Sequence, residues 1–173
     1  MNEFDELYKL LEKYPVNYSV GNRKKLSATG KRLKSLLLGI RSTVGAYQRT
    51  DKSLNPNILK NTMTPEGNTI YKHIAKIINK YHPGFEFNQL IINKNSTFLI
   101  HKDKGNKNNE SLIFTVGTFE ESQGGGLELY NDIDVVKINN IHCCKEGLGP
   151  YKILKIKNKP TIFNGKIIYH STE

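Results

Sequence analysis

The sequence has few cysteines and no long apolar run, and these two shortages narrow the class of protein. Its two cysteines, Cys143 and Cys144, are neighbours in the chain. Two adjacent cysteines cannot build a disulfide framework, so we expect a reducing compartment. No run of apolar residues reaches the roughly 20 that a membrane-spanning helix needs. The N-terminus carries Glu3, Asp5 and Glu6, which is unlike a secretory signal. We therefore expect a soluble protein of the cytoplasm.

Acidic residues are also scarce, with 16 Asp and Glu against 26 Lys and Arg and a net charge of +10. A basic excess can attract nucleic acid, because cationic side chains displace the counterions around phosphates. The chain is rich in Lys, Asn and Ile throughout, so compositional bias explains the excess as well. The candidate phosphate-binding segment, whose alternative is a solvated helix face, contains Lys24, Lys25, Lys31, Arg32 and Lys34.

Helical spacing dominates the first half of the chain. Apolar residues recur at helical intervals between Asn2 and Tyr14, and Pro15 ends that pattern. The basic stretch around the apolar block 36–38 is predicted to be partly helical, and residues 43–63 are predicted to be a loop. Thr64 and Pro65 predict the start of a second long helix, which Pro83 terminates.

Extended segments dominate the second half. An apolar face between Phe85 and Ile91 predicts a strand with a turn at 93–95. Further short strands with Gly, Asn and Pro turns predict an antiparallel sandwich or barrel. We thus expect one α+β domain over residues 1–173, helical and basic over 1–83 and β-rich over 84–173. The further strands are predicted at 98–101, 111–119, 127–130, 135–138, 151–156 and 161–170.

The segment His101-Lys102-Asp103 carries the chemistry, at the end of the apolar strand that begins at Phe98. Residues i and i+2 of a strand face the same side, so the imidazole and the carboxylate point together. A third ligand must come from elsewhere, and His170 ends the apolar segment 167–169. Two histidines and one carboxylate on one face of an octahedral ion leave open positions, as in non-haem Fe(II) oxygenases.

The context of these residues resembles the 2-oxoglutarate and Fe(II)-dependent dioxygenase superfamily. The matching segments follow one another in the order N-x-N, H-x-D-x-x-N, S, G, G-G-x-L and F-x-G…H, between about Phe85 and His170. The pattern is closest to the branch that resembles the thymine- and methylcytosine-oxidising nucleic-acid dioxygenases. The segments begin at Ile92, His101, Ser111, Gly125 and Phe163.

The resemblance implies N-terminal helices packed on a double-stranded β-helix (jelly-roll) core that binds Fe(II) through His101, Asp103 and His170. It also implies 2-oxoglutarate as co-substrate, consumption of dioxygen, and hydroxylation of a substrate carbon. A nucleic-acid base is the first candidate substrate and a protein side chain the second. Asn93, at the turn before the H-x-D segment, is a candidate for contacting the co-substrate.

One departure from the family pattern concerns the final strand. Family members carry an Arg or Lys about ten residues after the distal histidine, where it pairs with the far carboxylate of 2-oxoglutarate. This sequence ends at Glu173, three residues after His170. The chain is a fragment, has lost co-substrate binding, or uses another Lys or Arg. We favour a fragment that lacks the last strand of the core, because the sheet would otherwise keep an unpaired edge.

Other interpretations stay open. The chain could be a non-catalytic β-helix binding module, or a cupin-like metalloprotein that binds iron or manganese without 2-oxoglutarate. A zinc site at His142-Cys143-Cys144 is disfavoured, because adjacent cysteines rarely bind one ion together. The triple glycine 124–126 lacks the following Lys-Ser/Thr of a phosphate-binding loop. His73 and His82 are expected to be structural or solvated.

Overall fold

The computed structural model describes residues 1–14, 27–28, 34–40, 58–106 and 108–173. These residues fall into two compact units. Unit 1 holds the described residues of Met1–Ser19 and Leu33–Asn95, and unit 2 holds those of Val20–Arg32 and Ser96–Glu173. Unit 1 contains the helices and one pair of strands, and unit 2 contains short strands with a core of their own. The single domain expected from the sequence therefore remains a prediction.

Unit 1 contains three helices: α1 (Glu3–Lys13), α2 (Lys60–Met63) and α3 (Pro65–Tyr81). The side chain of Asn2 accepts hydrogen bonds from the first free amides of α1, at 3.0 and 2.9 Å. Thr64 caps α3 in the same way by accepting from the amide of Gly67 at 3.1 Å. These caps replace partners that the first helical turn lacks. Both long helices predicted from the sequence are confirmed, whereas the predicted loop contains α2.

Strands β1 (Lys34–Gly39) and β2 (Gln89–Lys94) pair antiparallel in unit 1. The helix expected around residues 36–38 is wrong for these residues, because they form β1 and lie opposite the apolar residues of β2. Leu36 and Leu38 are 1% and 0% exposed, and burying each contributes about 1.5–3 kcal/mol. Gly39 adopts φ +108°, and a Cβ there would lie 2.2 Å from the carbonyl oxygen of Asn88. Only glycine fits at that position.

Unit 2 is built from short strands in small sheets. The strands are β3 (Ser111–Ile113), β4 (Leu127–Tyr130), β5 (Val135–Ile138), β6 (Ile141–Cys144), β7 (Lys152–Leu154), β8 (Thr161–Phe163) and β9 (Tyr169–Thr172). Strand β4 lies between β7 and β9 in a three-stranded antiparallel sheet, while β3 pairs with β8 and β5 pairs with β6. Two single 3₁₀ turns, Glu121–Gln123 and Asp132–Asp134, flank β4.

The core of unit 2 lies on one face of the three-stranded sheet. Leu127, Leu129, Ile156 and Phe163 are buried together, and the partly buried apolar residues Ile113, Leu154 and Ile168 pack against them. Leu129 and His170 are directly opposite each other in β4 and β9. Because neighbouring strand positions alternate between faces, His170 lies on the core face and Ser171 on the other.

The α+β class predicted from the sequence is confirmed, with few helices and mainly antiparallel strands. Strands β4 and β5 have their predicted bounds, whereas β3, β7 and β8 are shorter than predicted, and β6 was not predicted at all. In place of the strand predicted at 98–101, Phe98 and His101 form isolated bridges. Strand β2 belongs to unit 1, although the sequence suggested that the β-rich part starts at residue 84. Among the described residues, no helix is long and apolar enough to cross a membrane.

Candidate metal centre

His101 and His170 are brought together by the backbone of unit 2. They form an antiparallel bridge in which the amide of each donates to the carbonyl of the other, at 2.9 and 3.0 Å. Directly opposite residues of an antiparallel pair place their side chains on the same side. The two imidazole rings accordingly lie with their centroids 4.4 Å apart.

Asp103 completes the group from two residues further along the chain. Its amide donates to the carbonyl of Gly165 at 2.8 Å, which attaches the loop after His101 to the segment before His170. Its Oδ1 lies 3.6 Å from Nε2 of His101, and its Oδ2 lies 3.6 Å from Nε2 of His170. One ligand atom from each of the three residues lies within 4.8 Å of the others. The three residues chosen from the sequence therefore converge, and they could hold a metal ion.

Backbone carbonyls determine the tautomers of both rings. Nδ1 of His101 lies 2.7 Å from the carbonyl oxygen of Leu99, and Nδ1 of His170 lies 2.9 Å from that of Ile168. A carbonyl can only accept, so each Nδ1 carries the proton of the neutral ring. Each Nε2 then directs a lone pair towards Asp103. This is the arrangement by which proteins orient histidines that bind metals.

The electrostatics of the group favour a cation among the three side chains. Burial and the neighbouring His101 lower the pKa of His170, although the carbonyl of Ile168 and Asp103 oppose this effect. Burial raises the pKa of Asp103, but His101, His170 and Ser111 outweigh it, so that pKa lies below its ordinary value. In the tautomers that the carbonyls select, the two Nε2 atoms and the carboxylate are acceptors that face one another. A bound cation removes that conflict.

The chemistry of these ligands fits a first-row transition metal. Imidazole nitrogen suits iron, copper, nickel and zinc, and one carboxylate with two histidines is the facial set of non-haem iron sites. His170 is 4% exposed, and the ring of Phe163 meets it edge-on at a centroid distance of 4.9 Å. The ring of Phe98 lies 6.2 Å from that of His101. The two aromatic rings keep part of the ligand set away from water.

Lys102 ties the two ligand-bearing segments together on the opposite side of the strand. Its Nζ lies 2.9 Å from Oδ2 of Asp132 and 4.2 Å above the ring of Tyr169, the neighbour of His170. The side chain of Lys102 is 15% exposed, so the contact with the ring occurs partly out of water. Sequence analysis did not identify this role, because the partners are distant in the chain.

Asn93 and the basic segment are the other site residues predicted from the sequence. Asn93 is in β2 of unit 1, where its amide oxygen accepts from the hydroxyl of Ser35 at 2.7 Å, and its contact with a co-substrate stays a prediction. Of the basic segment, Lys34 is exposed in β1. Lys24, Lys25, Lys31 and Arg32 lie outside the described residues.

Two of the remaining histidines, His73 and His142, have structural contacts. Nε2 of His73 lies 2.8 Å from the carbonyl oxygen of Glu3, and the ring of His142 packs on Tyr169 at 5.0 Å. Within the described part of the chain, His101, Asp103 and His170 are the single group of three potential ligands. His142 and the two cysteines beside it do not join such a group there.

Two polar residues beside Asp103 were not assigned a role from the sequence. Ser111 Oγ donates to Oδ2 of Asp103 at 3.2 Å, and Nδ2 of Asn106 donates to Ser111 Oγ at 2.7 Å. Both residues are part of the sequence pattern that suggested the superfamily, so their spacing was the available signal.

Comparisons of the chain with family models, curated proteins and solved structures found no match.

Proposed function

We propose that this chain is a 2-oxoglutarate-dependent Fe(II) dioxygenase in which His101, Asp103 and His170 bind the iron. The observation that carries the proposal is the convergence of two Nε2 lone pairs and one carboxylate in a largely buried place. The order of the sequence motifs supports iron and 2-oxoglutarate over other metals and co-substrates. Three protein ligands would leave positions for co-substrate and dioxygen.

We propose further that unit 2 is a double-stranded β-helix. Its short antiparallel pairs, β3 with β8 and β4 with β9, agree with such a core. The bridge between His101 and His170 is the contact that a metal site at one end of this fold needs.

The protein's own contribution would be to bind, orient and exclude water. His101 and His170 supply Nε2 because their Nδ1 protons are held by carbonyls, and Asp103 supplies the negative charge. When bound, the iron would supply the oxidative chemistry that couples decarboxylation of 2-oxoglutarate to hydroxylation. A nucleic-acid base or a protein side chain is the proposed substrate, in that order.

The test is an anaerobic titration of the purified chain with Fe(II) and then 2-oxoglutarate, followed by visible absorption. We expect a metal-to-ligand charge-transfer band in the parent chain and in His142→Ala, whose histidine lies outside the ligand group. The band should be absent in the double variant His101→Ala, Asp103→Ala. A band that persists in the double variant would refute the assigned ligands.

Two other results would favour the alternative functions. Iron bound by the same residues without a band on adding 2-oxoglutarate would favour a metalloprotein with another co-substrate. A folded parent chain that binds no iron would contradict the proposed function and favour a binding module.

A further inference from the structure

Two hydrogen bonds in series connect Asn106, Ser111 and one carboxylate oxygen of Asp103. Nδ2 of Asn106 lies 2.7 Å from Oγ of Ser111, and that Oγ lies 3.2 Å from Oδ2 of Asp103. The three side chains are partly buried. The carboxylate also faces Nε2 of His101 and Nε2 of His170, each at 3.6 Å.

The direction of this chain follows from counting protons. The amide nitrogen of Asn106 can only donate, so Ser111 Oγ accepts from it. A serine hydroxyl has one proton, and Asp103 Oδ2 can only accept when ionised. The Ser111 proton is therefore directed at Oδ2, and Asn106 fixes the rotation of the hydroxyl that delivers it.

Backbone contacts confine all three residues. The amide of Asn106 donates to the carbonyl of Asp103 at 3.1 Å, and Ser111 begins β3 opposite Phe163 of β8. Gly165 closes the other side, because a Cβ there would lie 2.6 Å from Ser111 Oγ and 2.7 Å from Asp103 Oδ2. The carboxylate thus lies between the Ser111 hydroxyl and the backbone of Gly165.

We propose that Asn106 and Ser111 are positioning residues that hold Oδ2 of Asp103 and leave Oδ1 to bind the metal. A carboxylate held in this way occupies one coordination position instead of two, which keeps a position open for an incoming ligand. This inference rests on the proposed metal site, but not on the identity of the co-substrate. Outer hydrogen-bond partners of this kind typically change metal affinity 10- to 100-fold.

The test is a double-mutant cycle with Co(II) as the probe metal. Affinity and the visible d–d spectrum are measured for the parent, Ser111→Ala, Asn106→Ala and the double variant. We expect Ser111→Ala to weaken Co(II) binding by about 10- to 100-fold and Asn106→Ala to weaken it less. Because the two residues act in series, the double variant should match Ser111→Ala alone.

The d–d spectrum separates positioning from stability. We expect it to change in Ser111→Ala and Asn106→Ala, because the binding mode of Asp103 changes, and to stay unchanged in Asn108→Ala, an exposed residue of the same loop. Thermal unfolding without metal shows whether each variant is folded under the conditions of the titration.

The outcomes distinguish the two proposals. If the parent binds Co(II) and Ser111→Ala binds it with equal affinity and an equal spectrum, the positioning role is wrong and the metal site stands. Additive effects of the two substitutions would also refute the serial arrangement. If the folded parent binds no Co(II), the metal site is wrong, and the positioning role falls with it.

Discussion

The two faces of the β4–β9 pair carry similar polar side chains, but the hydrogen-bond donors and acceptors of these side chains are arranged differently. The core face holds His170, which joins His101 and Asp103. The other face holds Ser171, the next residue, beside Glu128 and Tyr130. Each face therefore presents one carboxylate with two further polar side chains. They differ in whether the protons and lone pairs match.

We call the Glu128 face closed, because its hydroxyl protons are donated to an acceptor on the same face. Oε2 of Glu128 accepts from the hydroxyl of Tyr130 at 2.8 Å and from that of Ser171 at 2.5 Å. Tyr130 and Ser171 are only 7% and 4% exposed, and the hydroxyl proton of each is donated to an acceptor within the protein instead of to water. A buried polar group that is fully paired needs no ligand.

We call the core face open, because it has more hydrogen-bond acceptors than donors. The Nδ1 proton of each ring is donated to the carbonyl of Leu99 or Ile168, and the Ser111 hydroxyl donates to Oδ2 of Asp103. Both Nε2 atoms and Oδ1 of Asp103 therefore remain as acceptors that face one another. Convergent acceptors without donors form a cation site, whereas the same number of polar residues with matching donors forms a structural contact. The location of the ring protons, and not the choice of residue types alone, separates the two faces.

The largest expected effect comes from Asp103→Asn. Replacing the carboxylate by an amide should weaken Co(II) binding more than about 100-fold, since the charge of the ligand is lost. The new amide can keep its oxygen on the Ser111 hydroxyl and direct its nitrogen, a donor, towards Nε2 of His101. We therefore expect the metal-free variant to be as stable as the parent or about 0.5–1 kcal/mol more stable.

Isothermal titration with Co(II), and chemical denaturation in the presence of a chelator, measure these two effects. Glu128→Gln serves as the matched control from the closed face. A large loss of stability in metal-free Asp103→Asn would show that the core-face group is a structural network and would remove the contrast.

The second-largest effect is expected from Glu128→Ala, which should lower the stability of the protein and leave Co(II) binding nearly unchanged. Removing the shared acceptor leaves the buried hydroxyls of Tyr130 and Ser171, which lie 2.9 Å apart, with only each other as partners. One hydroxyl proton then lacks an acceptor, which should cost about 1–3 kcal/mol of unfolding free energy. Co(II) affinity should stay within about threefold of the parent value, because Glu128 does not reach the metal ligands. Denaturation and metal titration of the same preparation test both statements, and a tenfold loss of affinity would contradict the separation of the faces.

A third effect concerns the ionisation of Tyr130. Burial raises the pKa of Tyr130 to about 12, with the Glu128 carboxylate adding to the rise against an opposing effect of Ser171. The unfolded chain loses this proton near pH 10 and the folded chain near pH 12, so stability from this group is present below pH 10 and is lost as pH rises towards 12.

Ultraviolet titration of phenolate absorption compares the parent with Tyr130→Phe. We expect the variant to lack a step near pH 12 that the folded parent shows, with a phenylalanine substitution at exposed Tyr151 as the control that keeps the step. An unchanged titration curve would refute the closed network around Tyr130.

The smallest effect is expected at an exposed polar group in unit 1. Glu3 accepts from Lys80 at 2.6 Å and from Tyr81 at 2.9 Å. These contacts, led by the one with Lys80, lower the pKa of Glu3 to about 2. A lowered carboxyl pKa gives stability above the ordinary value of 4.5 that is lost as pH falls through 2.

Denaturation of the parent and Glu3→Gln at pH 6 and pH 2 measures this contribution. We expect a small difference at pH 6 that declines towards pH 2 and that weakens in high salt, because solvent screens exposed ion pairs. A difference as large as that of Glu128→Ala would contradict the importance of burial for the closed face.

The sequence predicted local structure best where the signals are local. The cap Thr64, the apolar spacing of α1 and α3, and the proline that follows each helix are recognised within a few residues. Strand β1 was missed because its leucines fit a helix equally well, and only pairing with β2 decides between the two. Strand β6 was missed because the polar and apolar residues of 141–144 do not alternate clearly.

For the candidate site, the sequence alone determined the residue types, the i to i+2 spacing of His101 and Asp103, and the order of the surrounding motifs. The tertiary structure decided that His170 lies opposite His101, that both rings present Nε2, and that Asn106 and Ser111 hold Asp103. The first of these features, the position of His170 opposite His101, depends on pairing between segments some 70 residues apart. Local spacing fixes which side chains share a face of one strand, but only the hydrogen-bond register between strands fixes which faces meet.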